Sequence, residues 1–106
     1  MDTCVFCKIA RGEIPSAKVF EDEHTLAFLD IKPLAENHTL VIPKKHHTNI
    51  LDIPPDELAR VMAAVKNIVD SYAAKFGMAN VKLLHNAGAK AGQEVPHFHF
   101  HIIPKP

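Results

Sequence analysis

The chain has 106 residues, with twelve Lys or Arg balanced by twelve Asp or Glu, eight His and two Cys, a length suited to a single domain, 1–106, with one modest core. No basic run exceeds Lys44-Lys45, which argues against a nucleic-acid polymer as partner, although a small phosphorylated ligand needs no such footprint. No apolar stretch approaches the ~20 residues that span a bilayer, and Met1-Asp2-Thr3-Cys4 does not open like a signal peptide, so a soluble cytoplasmic protein without a membrane partner is expected.

Residues 4–12 read as a short helical turn ending near Gly12. Three short strands follow at 18–21, 25–31 and 38–42, separated by the turn-like Glu21-Asp22-Glu23-His24 and Lys32-Pro33-Leu34-Ala35-Glu36-Asn37. After Pro54-Pro55 the apolar residues Leu58, Val61, Met62, Val65, Ile68, Val69, Tyr72 and Phe76 recur at steps of three and four, which predicts a long helix with its apolar stripe in the core. Asp56 and Glu57 suit the positive N-terminal end of that helix, and Gly77 suits its stop. Strands at 81–85 and 97–103, joined by residues 86–96, complete the chain. Strands, one long helix and strands again, with short connections, predict an α+β fold built on an antiparallel sheet.

The last strand carries the strongest signal: His97, His99 and His101 alternate with Phe98, Phe100 and Ile102. Alternation puts the imidazoles on one face and the apolar side chains on the other. A merely solvated face would use Lys, Glu or Thr, and strand propensity gives no reason to prefer His. One metal held by all three is disfavoured too, because residues two apart on a strand are about 6.6 Å apart whereas zinc wants every donor within about 2 Å. Three separate tasks are expected.

These histidines, preceded by Gly92-Gln93 and by an upstream His38-Thr39-Leu40-Val41-Ile42-Pro43-Lys44, resemble the histidine triad nucleotide-binding family, and the match is close to its Hint-type branch. Phe6, Ile9, Glu13-Ile14-Pro15, Glu21-Asp22, Leu26-Ala27-Phe28, Asp30-Ile31, Lys45-His46 and Asn86 also stand where that family has them. The resemblance implies a HIT-like fold: a five-stranded antiparallel sheet with one long helix and a short N-terminal one. His101 stands where related nucleotidylyltransferases carry Gln, which favours a hydrolase.

By that resemblance His99 is the nucleophile that attacks the nucleotide α-phosphate, giving a nucleotidyl-histidine that water cleaves. Imidazole suits this task because it is neutral and nucleophilic near neutral pH. One ring nitrogen is expected to attack while the other donates to a backbone carbonyl. Similarity places His101, Asn86, Gln93 and the Gly92 backbone around the phosphate, with His38 near the triad. Val5, Phe6, Ile9, Phe28, Ile31 and Leu40 are implied to line the base, and Asp30 to accept from the ribose hydroxyls. Residue by residue, plainer readings compete: Asn86 as a turn residue, His38 as a hydrogen-bonded core histidine, the apolar set as core. Glu94 replaces the serine of well-known Hint-type members, a change that bears on leaving-group preference.

Cys4-Val5-Phe6-Cys7 could be a redox pair, but nothing precedes it that could form the usual core strand. Two thiolates alone do not complete a tetrahedral zinc site, which then needs two histidines. Relatives with this pair bind structural zinc through residues that map to His46 and His97, with His47 as the adjacent fallback. His97 is thereby both a triad member and a ligand. His24 and His85 receive no role, and His85 is expected to face away from Asn86. The resemblance further implies a homodimer and a purine nucleoside phosphoramidate hydrolase releasing AMP or GMP. A dinucleoside polyphosphate hydrolase and a non-catalytic nucleotide-binding or interaction module are the alternatives. The sequence ends at Pro106, soon after the last strand, where Hint-type relatives carry a tail that shapes substrate preference, so relaxed selectivity is expected.

Overall fold

Side-chain alternation in the strands decides the layering of the molecule, which the computed structural model describes for residues 3–105. The signal-peptide reading at Met1-Asp2 and the outermost domain limits lie outside the described residues. Helix α1 (Val5–Ala10) is followed by strands β1 (Lys18–Glu21), β2 (Thr25–Leu29) and β3 (Thr39–Pro43), helix α2 (Pro55–Phe76), β4 (Asn80–Leu84), a single 3-10 turn at Ala89–Ala91, and β5 (Phe100–Lys105). The five strands form one sheet in the order β1-β2-β3-β5-β4, and every pairing is antiparallel. This is the expected α+β architecture.

Ala27, Val41, Phe98 and Ile102 pack with Val61, Ala64, Val65, Ile68 and Tyr72 of α2. Their sequence neighbours Leu26, Phe28, Leu40 and Ile42 pack instead with Phe6, Cys7 and Ile9 of α1. The period of two therefore sends α2 to one face and α1 to the other. His99 and His101 alternate with Phe98, Phe100 and Ile102, so their rings emerge on the α1 face.

Helix α2 starts at Pro55 with Asp56 and Glu57 in its first turn and stops at Gly77, whose N–H still bonds the Ala73 carbonyl while its φ of 67° turns the chain out of the helix. Two members of the expected stripe are not core: Met62 is 36% and Phe76 59% exposed. Met62 lies one residue, about 100°, round from Val61. Phe76 sits in the last turn, tilted against Tyr72 with ring centroids 5.5 Å apart. The small Ala64 fills the core in their place.

Strand limits also differ from the sequence reading. β2 stops at Leu29 because the Asp30 carboxylate folds back to accept the Lys32 N–H at 2.9 Å. β3 begins at Thr39, after Asn37 takes a left-handed φ of 64°. β4 spans Asn80–Leu84, leaving His85 just beyond it. The largest shift is at β5, which starts at Phe100 rather than at 97. There the Phe98 N–H bonds the His47 carbonyl, at 2.6 Å, instead of joining the ladder with β3.

Candidate active site

Four elements wall a cavity of about 510 Å³ on the α1 face, within the size range of small-molecule sites. Val5, Phe6 and Ile9 come from α1, Phe28 to Lys32 from the end of β2 and the turn after it, His38 and Leu40 from the start of β3 and the residue before it, His99 from just before β5 and His101 from β5 itself. All six residues expected to line a base are there, with Ile31 at the rim, 92% exposed. Phe6 meets His99 edge to face, with ring centroids 5.2 Å apart.

Backbone groups fix the ring tautomers one after another. Nδ1 of His99 lies 2.8 Å from the His97 carbonyl oxygen, so Nδ1 holds the proton and Nε2 keeps its lone pair. Nδ1 of His38 accepts the Leu34 N–H at 3.0 Å, which puts the His38 proton on Nε2. That nitrogen donates to His101 Nδ1 at 3.0 Å, leaving His101 with its proton on Nε2. The cavity is thus offered one basic nitrogen, from His99, and one N–H donor, from His101. Burial holds the pKa of His38 and His99 below the ordinary imidazole value, and burial, then the neighbouring His99 and His38, take His101 down to about 4. All three are therefore neutral near pH 7.

Asp30 stands just past β2 with Oδ1 on the Lys32 N–H and Oδ2 3.6 Å from His38 Nε2. Asp30, His38 and His101 bring donor atoms within 4.8 Å of one another. However, with the Leu34 N–H on Nδ1, His38 must keep its proton on Nε2 and has no lone pair there for a metal. The group is a hydrogen-bond relay.

Gly92, Glu94 and Val95 line the open side of the cavity. Gly92 has φ 99°, and a Cβ there would meet Asn86 Nδ2 at 3.4 Å. Asn86 thus sits beneath the Gly92 turn and is not part of the lining. Gln93 does not line the cavity either. Its Oε1 accepts from Gly88 N–H at 2.8 Å and Asn49 Nδ2 at 3.1 Å, while Nε2 donates to the carbonyls of Thr48 at 2.7 Å and Val95 at 3.0 Å. Every site of the amide is engaged in holding this loop.

A second cluster lies behind the triad. Nδ1 of His97 is 3.4 Å from both Cys4 Sγ and Cys7 Sγ, and Nδ1 of His46 is 3.3 Å from Cys7 Sγ. Bonds of about 2.0–2.3 Å in a tetrahedron put neighbouring donors roughly 3.3–3.8 Å apart, so the spacing fits one metal ion. His97 Nε2 donates to the Pro43 carbonyl at 2.9 Å, which leaves Nδ1 free to ligate. Burial, then the hydrogen bond and charge of Cys4, push the Cys7 thiol up to about 11. The fallback His47 turns away to Glu57, Nε2 to Oε2 3.0 Å. These four residues could hold a metal.

Sequence reasoning missed Pro15, Ser16, Ala17, Lys32 and Leu34 in the cavity wall, as well as the buttress of Thr48, Asn49 and His85. None carries a local signal, since each is defined by a partner more than ten residues away or by a loop's path. His24 is solvated, half-exposed beside Glu23. His85 turns to Phe98 and stacks on it, with ring centroids 4.4 Å apart.

Fold and site define an α+β domain with a histidine-lined cavity of nucleotide size. The HIT domain matches residues 11–106, and the chain belongs to the HIT family. It is 51% identical over 102 residues to an uncharacterized HIT-like protein of Methanocaldococcus jannaschii, across 96% of this chain and 78% of that one. It is 48% identical over 102 residues to the adenosine 5'-monophosphoramidase HNT1 of Saccharomyces cerevisiae, across 96% of this chain and 62% of that enzyme. A crystal structure of a HIT family protein from Bacillus anthracis superposes with a TM-score of 0.94 at 47% identity, covering 98% of this chain and 74% of the other. By this kinship the chain is a HIT-family hydrolase of the Hint type. No helix among the described residues is long and apolar enough to cross a membrane.

Proposed function

We propose that the protein hydrolyses purine nucleoside phosphoramidates, cleaving the P–N bond through a nucleotidyl-histidine on His99 and releasing a nucleoside monophosphate. One observation carries the reading: His99 Nδ1 is bound to the His97 carbonyl at 2.8 Å, so the lone pair of Nε2 is available in a cavity wide enough for a nucleotide. That lone pair attacks the α-phosphorus, and the P–N electron pair departs with the amine, which takes up a proton. Charge growing on the phosphoryl oxygen is met by the His101 Nε2–H, whose direction the His38 contact sets. Water then attacks the same phosphorus and returns the electron pair to His99. Asp30 Oδ2 accepts from the ribose, and the apolar wall grips either purine without reading its edge. Gly92 and Asn86 shape the phosphate side.

A dinucleoside polyphosphate hydrolase is the alternative enzyme, and a nucleotide-binding or interaction module the non-catalytic one. Glu94 favours the phosphoramidate: it lines the cavity and its charge acts on His99, so a polyanionic leaving group meets repulsion that an amine does not. The relative HNT1 is itself named an adenosine monophosphoramidase. We further assign Cys4, Cys7, His46 and His97 to a structural zinc ion, which would pin α1 to the final strand. A homodimer is supported by the open edge of β4 with Leu83 44% exposed and by Met62 on the outer face of α2. Two free, buried cysteines support a reducing, cytoplasmic setting.

The test is steady-state hydrolysis of adenosine 5'-phosphoramidate beside diadenosine polyphosphates by wild type and His99→Ala. Preferred turnover of the phosphoramidate, with the variant down on the order of 10⁴-fold or more, is the expected result. Preference for polyphosphates would replace the reaction but keep the nucleophile, and nucleotide binding without cleavage would leave a binding module.

A further inference from the structure

We propose that His85 is a positioning residue for His99, a role that rests on the reading of His99 as the nucleophile. The β3–β5 register ends at Val41↔Phe100 and the β4–β5 register at Leu84↔His101. His99 therefore lies outside both ladders, and the backbone that carries the reactive ring lacks the sheet's support. His85, the residue after β4, supplies it.

Nδ1 of His85 lies 3.0 Å from the His99 carbonyl oxygen, and its Nε2 lies 3.1 Å from the Ile50 backbone nitrogen. Since the Ile50 N–H can only donate, Nε2 accepts, and Nδ1 must carry the proton that goes to His99. One neutral tautomer satisfies both partners. The ring is also held flat on Phe98, with centroids 4.4 Å apart and planes 22° from parallel. Behind it the Ile50 loop is tied by Asp52, whose carboxylate accepts the N–H groups of Thr48 at 3.0 Å and Asn49 at 2.9 Å. The loop is thus a strut that reaches the nucleophile through one imidazole.

His99 is then clamped at two points, its carbonyl by His85 and its ring by the His97 carbonyl. Together they set where Nε2 stands relative to the phosphorus. If His85 were only core filling, any flat ring stacked on Phe98 would serve; if it positions His99, a replacement must bring one donor and one acceptor. The two variants that separate these roles are His85→Phe, which stacks but bonds neither partner, and His85→Gln, which offers an amide N–H and a carbonyl.

The experiment compares wild type and both variants in single-turnover cleavage of adenosine 5'-phosphoramidate, in AMP affinity by calorimetry, and in nitrogen-15 NMR of the His99 imidazole. Because a misplacement of about 1 Å can cost about 100-fold, His85→Phe is expected to slow cleavage by about 10- to 100-fold, with AMP affinity within about threefold of wild type. His85→Gln is expected to recover most of that loss. The His99 Nδ1–H resonance should shift or broaden in His85→Phe and return toward wild type in His85→Gln. Equal rates in wild type and His85→Phe, or a His99 resonance unmoved by either change, would overturn the proposal. If wild type cleaves no phosphoramidate, the reaction proposed above fails, and the His99 resonance alone still decides the role of His85.

Discussion

The carbonyl oxygen of His97 and Nδ1 of His99 stand 2.8 Å apart, so the residue that closes the cysteine cluster also orients the ring beside it. The Nδ1 of His97 faces both thiols, and its carbonyl fixes the tautomer of His99. Structure at the cluster and chemistry in the cavity share one residue.

Cys7→Ser is the direct probe of that link. Elemental analysis should find close to one zinc per chain in wild type and far less in the variant. Losing a ligand shared with the α1 core should lower the melting temperature by about 10 °C. A wild type with no bound metal, purified without chelator, would remove zinc from the account.

Acid should weaken the fold through the buried relay. Burial, then the adjacent histidines, take His101 from the ordinary 6.5 down to about 4. Between those values the unfolded chain binds the proton that the folded one refuses, so stability falls as pH drops from 6.5 toward 4 and is unaffected by this group above 6.5. His101→Gln removes the titrating group. Its unfolding free energy, followed by denaturant titration across that window, should therefore decline less steeply than that of wild type.

Gln93 is expected to act on the loop and not on the phosphate directly. Gln93→Leu strips all four side-chain hydrogen bonds of the 88–95 turn. It should cost about 2–4 kcal/mol in urea denaturation. Unchanged stability with weakened nucleotide binding would instead assign the amide to the ligand.

Asp30→Asn separates ribose recognition from general binding. Oδ2 stands 3.6 Å from His38 Nε2, beyond a good hydrogen bond, and can accept from the sugar hydroxyls. Losing a charge-assisted bond should weaken AMP binding by about tenfold and leave a nucleotide lacking both ribose hydroxyls nearly unaffected. Equal losses for the two ligands would place Asp30 in support of His38 alone.

Much of this was determined by the sequence alone. Periodicities of two and 3.6 are local, so they placed the imidazoles opposite Phe98, Phe100 and Ile102, laid Val61, Val65, Ile68 and Tyr72 in the core, and paired Cys4 with Cys7 one helical turn apart. The apolar lining of the cavity followed instead from resemblance to the family, since residue by residue the same side chains read as core. The tertiary structure decided what depends on partners distant in the chain. It started β5 only at Phe100 because Phe98 bonds His47, turned the Gln93 amide into its own loop, exposed Met62 and Phe76 where the sheet does not reach, and set His85 between Ile50 and His99. A hydrogen bond across 35 residues leaves no trace in local spacing, because its geometry exists only once the sheet and the loop beside it have packed.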